Sequence, residues 1–141
     1  MRPMKTVKPD DLFKDAQEVD MSGILPSQHA GDWAAFYKEA LDEAAIVAMT
    51  APDGTIISVN QKFCEISGYR EHELIGANHR LLRSGMHDHA FWRDFYQTIT
   101  RGLVWHGKIC NRAKSGHHYW VDTTVVPHKD ANGRIHSYTA I

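Results

Sequence analysis

Ten residues near the middle of the chain gather side chains that can bind a ligand or exchange a proton. The stretch GANHRLLRSG, residues 76–85, sets Asn78, His79, Arg80 and Arg83 between two glycines. A guanidinium is planar and always charged, which suits it to a phosphate or a carboxylate. An imidazole titrates close to neutral pH and can pass a proton. The same residues could instead be solvated charges and a turn-forming histidine, so the stretch poses three possibilities: binding, reaction or folding.

The composition indicates one ordinary soluble domain. The chain has 141 residues, 43% of them hydrophobic and 23% charged, which is enough to form a real core. Its formal net charge of −1 argues against a nucleic-acid partner, because phosphate-binding surfaces normally show a clustered basic excess. No apolar run approaches the length of a membrane span and no signal peptide is visible, so we expect a cytoplasmic fragment without direct membrane insertion. Cys64 and Cys110 have no CxxC spacing, which fits a reducing compartment.

The N-terminal part of the chain divides into an arm and a helix. Residues 1–31 are polar and contain three prolines, and only residues 10–19 are weakly amphipathic. From Asp32, which can cap a helix, apolar residues recur at helical spacing as far as Ala44. We therefore expect an arm over residues 1–31 and an amphipathic helix over residues 32–44 that packs on the domain or on a second copy.

The rest of the chain alternates between strand and helix signals. Residues 45–60 hold two short apolar runs joined by a Pro-Asp-Gly turn, which is the pattern of a hairpin. Residues 60–102 return to helical spacing, where Asp88 can cap the longest helix and Gly102 can end it. Three β-rich runs follow, separated by the turn sequences AKSG and KDANG. Antiparallel strands segregated from helices predict an α+β domain whose covered sheet face encloses either core side chains or a ligand.

Four spaced motifs between Leu41 and Ile141 resemble those of a PAS domain. They are DGTIISVNQKFCEISGYREHELIGANHRLL, the WHG of Trp105–Gly107, NRAKSGHHYWV and VVPHKDANGRIHSY. The resemblance implies a PAS sensor domain over residues 41–141, with a five-stranded antiparallel sheet in the order 2-1-5-4-3 and helices over one face. It also implies that the helix at residues 32–44 serves dimerisation or signalling, and that a cofactor can lie between the sheet and the helices.

Within that superfamily, the stretch at residues 76–85 resembles the GxNCRFLQ segment of the flavin-binding LOV photoreceptors, with one important difference. His79 stands where LOV domains keep the photoreactive cysteine, and neither Cys64 nor Cys110 takes that position, so a flavin adduct is not expected. The chain is more similar to the FAD-binding redox-sensing PAS domains of aerotaxis receptors, nitrogen-fixation regulators and methane-oxidation sensors. These carry a histidine at this position, W-x-G after the long helix, and NR-x-K followed by YW.

The resemblance implies a sensor and not an enzyme. In that group a flavin reports oxygen or cellular redox state to a kinase, cyclase or chemotaxis output. We therefore expect bound FAD, with FMN or haem less favoured, and an output domain outside this chain. A homodimer through the N-terminal helix is the expected assembly. Reduction would change hydrogen bonding at Asn111, and the strands would pass that change to the helix or to the C-terminal connection.

The same resemblance implies a set of cofactor-binding residues drawn mainly from the helical block and the third strand: Asn60, Asn78, His79, Arg80, Arg83, Trp92, Trp105 and Asn111. The Asn111 amide would hydrogen-bond to the edge of the flavin ring. Trp105 would line one side of the ring or stack on it, and Gly107 would leave space beside it. Arg80 would pair with a phosphate, and Arg83 matches a flavin-contacting position.

These residues also have purely structural explanations. Trp105 and Trp92 could be core side chains, although Trp92 could also quench a flavin by electron transfer. Asn60 could cap the following helix, and Asn111 could bond to another protein group. His79 could simply bond to the backbone and fix the turn. The sequence alone leaves these alternatives open.

Three other classes of protein compete with a flavin sensor. A haem-binding PAS sensor would need an axial histidine, for which His87 and His89 lie near the right place. The sequence MHDHAF superficially resembles the His-Asp pattern of metal phosphohydrolases, but the remaining histidines fall mostly on predicted strands and turns. A cofactor-free PAS domain that acts only in dimerisation would explain each residue separately. The flavin interpretation is favoured because Arg83, Trp105 and Asn111 all match one ligand.

Overall fold

The computed structural model of the chain describes residues 30–141, with side chains from Trp33 onward. The chain divides into two compact units. The first ends at Phe36, and the second covers Tyr37–Ile141. Of the first unit only part of a helix is described, whereas the second unit contains the whole sheet. The predicted arm over residues 1–31 lies outside the described residues, except for its last two positions.

The first helix, α1, covers Ala30–Ala44 and confirms the helix predicted from the apolar spacing. Asp32 is already part of the helix, so the prediction that it is the N-cap is wrong. Lys38 and Asp42, one helical turn apart, form an ion pair at 2.6 Å near the other end of the helix. An exposed pair of this kind stabilises a helix only slightly.

A tight hairpin follows the helix, as predicted. Strand β1 (Ala48–Thr50) pairs antiparallel with β2 (Ile56–Val59). In the turn between them Gly54 has φ +88°, a left-handed conformation that residues with a Cβ rarely adopt. The Asp53 carboxylate accepts a hydrogen bond from the Thr55 backbone N–H at 2.9 Å and so closes the turn.

The helical block contains four short elements: α2 (Gln61–Ser67), α3 (Glu71–Leu74), a 3-10 helix (His79–Leu82) and α4 (His89–Thr100). Asn60 and Asp88 cap α2 and α4, their side chains accepting from the backbone N–H of Phe63 and Phe91. Gly102, with φ +77°, follows α4, which confirms the predicted cap and stop of this helix. Among the described residues, none of the helices is both long and apolar enough to span a lipid bilayer.

The sheet is completed by three longer strands: β3 (Trp105–Arg112), β4 (His118–Lys129) and β5 (Ile135–Ala140). The strand order is β2-β1-β5-β4-β3, and every neighbouring pair is antiparallel. The predicted α+β class and strand order are therefore confirmed. Because β5 returns to lie between β1 and β4, the sheet ends in two edge strands, β2 and β3.

Two apolar clusters hold the helices on one face of this sheet. The first joins the short helices to the hairpin through Ala48, Ile56, Phe63, Leu74 and Leu82. The second joins α4 to the three long strands through Ile99, Trp105, Ile109, Val125 and Tyr138. Side chains alternate along a strand, so the apolar positions of β3 and β4 share the face that α4 covers.

Candidate functional site

A cavity of about 800 Å³ lies between the sheet and the helices. Phe63 of the first cluster and Ile99, Ile109, Val125 and Tyr138 of the second line it, so much of its wall is apolar. Pockets of this size and character hold cofactor-sized ligands in many proteins. The polar side chains that line it include Asp53, Lys62, Asn78, His79, Arg80, Arg83, Tyr96, Asn111, Tyr119 and Thr123.

One side of the cavity is formed by Gly76–His87, which we call the wall segment. Its first end is anchored to the edge strand β2. The Gly76 backbone N–H donates to the carbonyl oxygen of Ile56 at 2.9 Å, and the Ile56 N–H donates to the carbonyl oxygen of Ala77 at 2.8 Å. The His79 N–H donates to the carbonyl oxygen of Gly54 in the hairpin turn at 2.9 Å. This end of the wall is therefore held mainly by backbone bonds.

The other end of the wall segment is anchored to the edge strand β3. The Ser84 hydroxyl donates to the carbonyl oxygen of Cys110 at 2.7 Å, and the Cys110 N–H donates to Nε2 of His87 at 2.8 Å. Between these contacts the backbones of Arg83 and Asn111 form an isolated antiparallel bridge. The wall segment thus spans the sheet from one edge to the other.

Within the wall segment, Asn78 acts as a brace. Its Oδ1 accepts from the backbone N–H of Arg80 at 3.0 Å and from Nε of the same arginine at 3.1 Å. Its Nδ2 donates to the carbonyl oxygen of Asp53 at 3.0 Å. Asn78 lines the cavity, but these bonds occupy much of its amide. Its main effect is to orient the Arg80 guanidinium at the cavity and to tie it to the hairpin turn.

His79 lines the cavity and is held in its neutral form. The residue is half-buried, and packed protein atoms surround the imidazole. This burial lowers the pKa of His79 below its usual range, and the positive charge of Arg83 lowers the pKa further. At neutral pH the imidazole therefore offers one N–H donor and one acceptor nitrogen.

Two aromatic side chains of α4 hold Arg83 in place. Its Nη2 donates to the Tyr96 hydroxyl at 3.0 Å, and its guanidinium lies 4.7 Å from the ring centroid of Trp92. Guanidinium groups are attracted to the faces of aromatic rings, so this position is favourable. Arg83 lines the cavity, whereas Trp92 is not among the lining residues and acts as the support beneath it.

Asn111 and Tyr119 face each other across β3 and β4 and both line the cavity. Asn111 is 8% exposed and lies directly opposite Tyr119 in the strand register. Burial raises the pKa of Tyr119 to about 12, although the nearby Asn111 side chain lowers it in part. Tyr119 therefore stays un-ionised at any physiological pH.

The sequence analysis missed several lining residues, among them Tyr119 and Lys62. The signal for Tyr119 was available in the short AKSG turn, which pairs the strands on either side so that Asn111 meets Tyr119. Lys62 lies on α2 at an amphipathic position that also suits a solvated charge. Only the tertiary packing reveals that it borders the cavity.

Trp105 packs in the core rather than in the cavity wall. It is 6% exposed, its ring lies against Phe91 and Phe95 with centroids 5.7 and 4.9 Å away, and its Nε1 donates to Asp94 at 3.2 Å. A Cβ at Gly107 would lie 2.6 Å from Cη2 of this ring. The W-x-G motif therefore makes room for its own tryptophan, which is the structural alternative considered above.

Asn60 lies outside the cavity and shows the capping role that the sequence left open. Its Oδ1 accepts from the backbone N–H of Phe63 at 3.1 Å and of Val47 at 3.0 Å. Its Nδ2 donates to the carbonyl oxygen of Ala45 at 2.7 Å. One side chain thus joins the start of α2 to the segment that leads into β1.

The two histidines considered for haem do not border the cavity. Nε2 of His87 accepts from the backbone of Cys110, and its ring stacks on Phe91 with centroids 3.9 Å apart. His89 is exposed at the start of α4. Neither histidine therefore offers a nitrogen to a ligand in this cavity. Within residues 30–141, no three His, Cys, Asp or Glu side chains come together as a potential metal site.

Sequence comparisons place this architecture among known proteins. Residues 56–141 match the family described as the PAS fold. The chain is 27% identical over 130 residues to a nitrogen fixation regulatory protein of Klebsiella pneumoniae, covering 92% of this chain and 26% of that protein. It is 33% identical over 100 residues to the aerotaxis receptor of Escherichia coli (strain K12), covering 71% of this chain and 20% of the receptor. The chain thus spans about a quarter or less of the length of these relatives.

Solved structures support the same fold. The chain is similar to an RNA-binding light-oxygen-voltage receptor with a TM-score of 0.69 and 20% identity, covering 88% of this chain and 35% of that one. It is also similar to the light state of the LOV domain of the blue-light photoreceptor Aureochrome1, with a TM-score of 0.64 and 24% identity, over 73% of this chain and 84% of that one. At these identities the likeness concerns the backbone fold alone.

Proposed function

Because this chain belongs to the PAS fold family, we propose that it is a flavin-binding sensory domain that reports redox state or oxygen to an output module. Its relatives include a regulatory protein and a receptor, which supports a role in signalling rather than in catalysis. We propose FAD rather than FMN because His79 replaces the LOV cysteine and the motifs are more similar to those of the redox group. Kinase, cyclase or chemotaxis partners and a homodimer through α1 belong to the same proposal.

One observation carries the proposal: a buried amide and two guanidiniums border one cavity with otherwise apolar walls. A flavin needs an apolar slot for its ring system, hydrogen-bonding groups at the polar ring edge and positive charge toward its phosphates. Ile109 and Val125 supply apolar wall, and Asn111 supplies an amide with both donor and acceptor groups. The residues of the cavity therefore fit the group.

The basic residues divide into two roles in this proposal. Asn78 holds Arg80 by two hydrogen bonds, so its guanidinium is pre-oriented for a phosphate oxygen. Arg83, held by Tyr96, would stay closer to the ring system. Lys62 adds a second positive charge for the phosphates from α2. Two or three cations suit a pyrophosphate better than a neutral ligand.

A bound flavin would supply reversible electron transfer coupled to proton uptake. The protein residues have to form hydrogen bonds with the ring edge in both its oxidised and its reduced state. The Asn111 amide can donate or accept, and neutral His79 can also do either, so each can change its hydrogen bond when the ligand edge changes. A change at Asn111 acts directly on β3 and, through Tyr119, on β4. We propose that these strands pass the change to α1 or to the C-terminal connection.

The first experiment is a visible absorption spectrum of the purified protein, followed by chromatography of the released chromophore. Bands near ~375 and ~450 nm that bleach with dithionite would support the proposal and identify FAD or FMN. A band near ~400–430 nm would indicate haem instead. A colourless protein that also fails to take up added FAD would contradict the proposal and favour a cofactor-free PAS module. As a matched pair, Asn111→Ser is expected to lower flavin content, whereas Asn132→Ser, in the exposed β4–β5 turn, is not.

A further inference from the structure

Arg83 is a cation of the cavity whose side chain is held by α4. Trp92 and Tyr96 stand one helical turn apart on that helix, with ring centroids 6.3 Å from each other. The guanidinium lies 4.7 Å from the ring centroid of Trp92 and 6.0 Å from that of Tyr96. Its Nη2 donates to the Tyr96 hydroxyl at 3.0 Å. The helix therefore determines where this charge lies.

The two contacts with α4 fix different things. Attraction to the face of Trp92 keeps the guanidinium close to the ring but leaves it able to rotate in its own plane. The hydrogen bond to Tyr96 is directional, so it sets that rotation and with it the direction of the remaining N–H groups. The backbone of Arg83 is held separately, by its bridge to Asn111 on β3. Removal of the Tyr96 hydroxyl would therefore release the guanidinium without releasing the wall segment.

The charge of Arg83 has no counter-ion among the described residues. The ion pairs that these residues form do not include it, and its neighbour His79 is neutral. A guanidinium has five N–H donors, and among the described residues the Tyr96 hydroxyl is the acceptor for one of them. Arg83 is half-buried and lines the cavity. A partly desolvated cation with donors to spare favours a ligand that brings negative charge.

We propose that Tyr96 is a positioning residue whose hydroxyl orients the Arg83 guanidinium, so that the cavity binds a planar ligand with a negatively charged edge more tightly than the neutral form of that ligand. The inference rests on the proposed flavin function for the identity of the ligand. Two electrons from a reductant such as dithionite and one proton from water give the flavin ring one additional negative charge. The preference therefore raises the midpoint potential of bound FAD.

The test without ligand follows the Nε–H signal of Arg83 by nuclear magnetic resonance of the full chain. Arg83→Gln identifies this signal by its loss. In Tyr96→Phe, which keeps the ring and removes only the hydroxyl, the signal is expected to shift and to exchange faster with solvent. Tyr69→Phe is the matched control, because its ring lies 6.0 Å from a different cation, the Lys114 ammonium, and it should leave the Arg83 signal unchanged. An unchanged Arg83 signal in Tyr96→Phe would overturn the proposal.

The test with ligand measures the midpoint potential of bound FAD by titration with dithionite. Tyr96→Phe is expected to weaken the preference for the reduced form by about two- to tenfold, the usual effect of one hydrogen bond. For a two-electron couple this corresponds to a fall of about 9–30 mV in the midpoint potential. Arg83→Gln removes the charge itself and should lower the potential further, whereas Tyr69→Phe should not change it. A potential that does not fall in Tyr96→Phe contradicts the proposal.

Tyr96 also lines the cavity, so its action through Arg83 has to be separated from a direct contact with the ligand. A double-mutant cycle with Tyr96→Phe and Arg83→Gln makes this distinction. If Tyr96 acts through Arg83, its hydroxyl has no effect once the guanidinium is gone, and the double variant has the potential of Arg83→Gln. An equal fall with and without Arg83 would show a direct or merely structural role and would overturn the proposal. If Arg83→Gln retains no FAD, the Arg83 signal and the potential of Tyr96→Phe decide.

These measurements separate failure of this inference from failure of the flavin proposal. If the wild-type protein takes up no FAD, the flavin proposal fails, and the Arg83 signal still decides whether Tyr96 positions the guanidinium. If the wild-type protein binds FAD but Tyr96→Phe changes neither the signal nor the potential, only the inference about Tyr96 fails. If the signal shifts and the potential falls, both stand.

Discussion

Near the hairpin, Asn60 outside the cavity and Asn78 on its wall bond mainly to backbone groups, whereas at the β3–β4 end of the cavity Asn111 lies opposite the side chain of Tyr119. The amides of the first two each make three or more hydrogen bonds, so neither can turn without breaking several bonds at once. The Asn111 side chain instead faces Tyr119 across the two strands and lines the cavity, where it can respond to a ligand. Asparagine side chains thus form a rigid structure near the hairpin and a surface that can respond to a ligand at the β3–β4 end.

The largest expected effect tests the rigid end. Asn60→Ala removes a helix cap and two further hydrogen bonds, so we expect the free energy of unfolding to fall by about 3 kcal/mol. Urea denaturation would measure this fall, with Asn132→Ala as the control at an exposed turn. The Kd for FAD of the folded protein should stay unchanged. A weaker Kd with unaltered stability would reverse the assignment of Asn60 to the rigid end.

The next effect tests the packing behind the responsive end. Gly107→Ala would place a methyl group within 2.6 Å of the Trp105 ring, and overpacking of this kind is expected to cost about 2 kcal/mol of stability. The cost should shrink in a Trp105→Leu background, because the smaller side chain leaves room. An equal cost in both backgrounds, measured by urea denaturation, would show that the close contact is not what requires glycine.

A smaller effect asks whether Arg80, although braced at the rigid end, also contacts a ligand. Arg80→Gln is expected to raise the Kd for FAD by about tenfold through loss of one phosphate contact at a partly solvated site. The Kd for riboflavin, which lacks phosphate, should not change. Arg101→Gln, at the exposed end of α4, is the charge-matched control. An equal loss of affinity for FAD and for riboflavin would show that Arg80 acts only on the structure of the wall segment.

The smallest effect concerns the pH dependence of stability at His79. Because its pKa is lowered by folding, the unfolded chain takes up a proton near pH 6.5 while the folded protein does not. The stabilising contribution of neutral His79 is thus complete above about pH 6.5 and declines as the pH falls toward its folded pKa. Between about pH 6.5 and 5.5 the decline is at most about 1 kcal/mol.

His79→Gln provides the comparison for that measurement. Glutamine keeps a hydrogen-bonding side chain of similar length but does not titrate, so the variant should lose this part of the acid destabilisation. The two proteins are compared by urea denaturation at several pH values. If the variant and the wild-type protein weaken equally on acidification, another group is responsible.

Much of the fold could be predicted because its signals are local. Asp88 and Gly102 bound α4 as expected, and the turn sequences between the last three strands defined the meander. The strand order followed from the family resemblance, which the comparisons confirm. Asp32 failed as a cap signal, because aspartate can also occupy a position within a helix.

The candidate site could be predicted only in part, because its residues depend on packing across the sheet. Asn111, Arg80 and Arg83 do line one cavity, whereas Trp105 and Trp92 support it from the core. In the sequence, a glycine two residues after a tryptophan is equally consistent with space for a ligand and with space for the tryptophan ring itself. Only the rotamer of Trp105, set by its contacts with α4, distinguishes the two cases. Flavin contact by the lining residues stays a prediction.

The wall segment also affects how readily the protein associates with other protein chains. An exposed edge strand offers unpaired N–H and C=O groups to any passing strand, and this is a common route to aggregation. Gly76 and Ala77 occupy such groups on β2, and Ser84 and His87 occupy them on β3. A single stretch of chain therefore covers part of both margins of the sheet. Any variant or condition that detaches it would open two sites of intermolecular strand pairing at once, and we expect such a protein to precipitate before it unfolds.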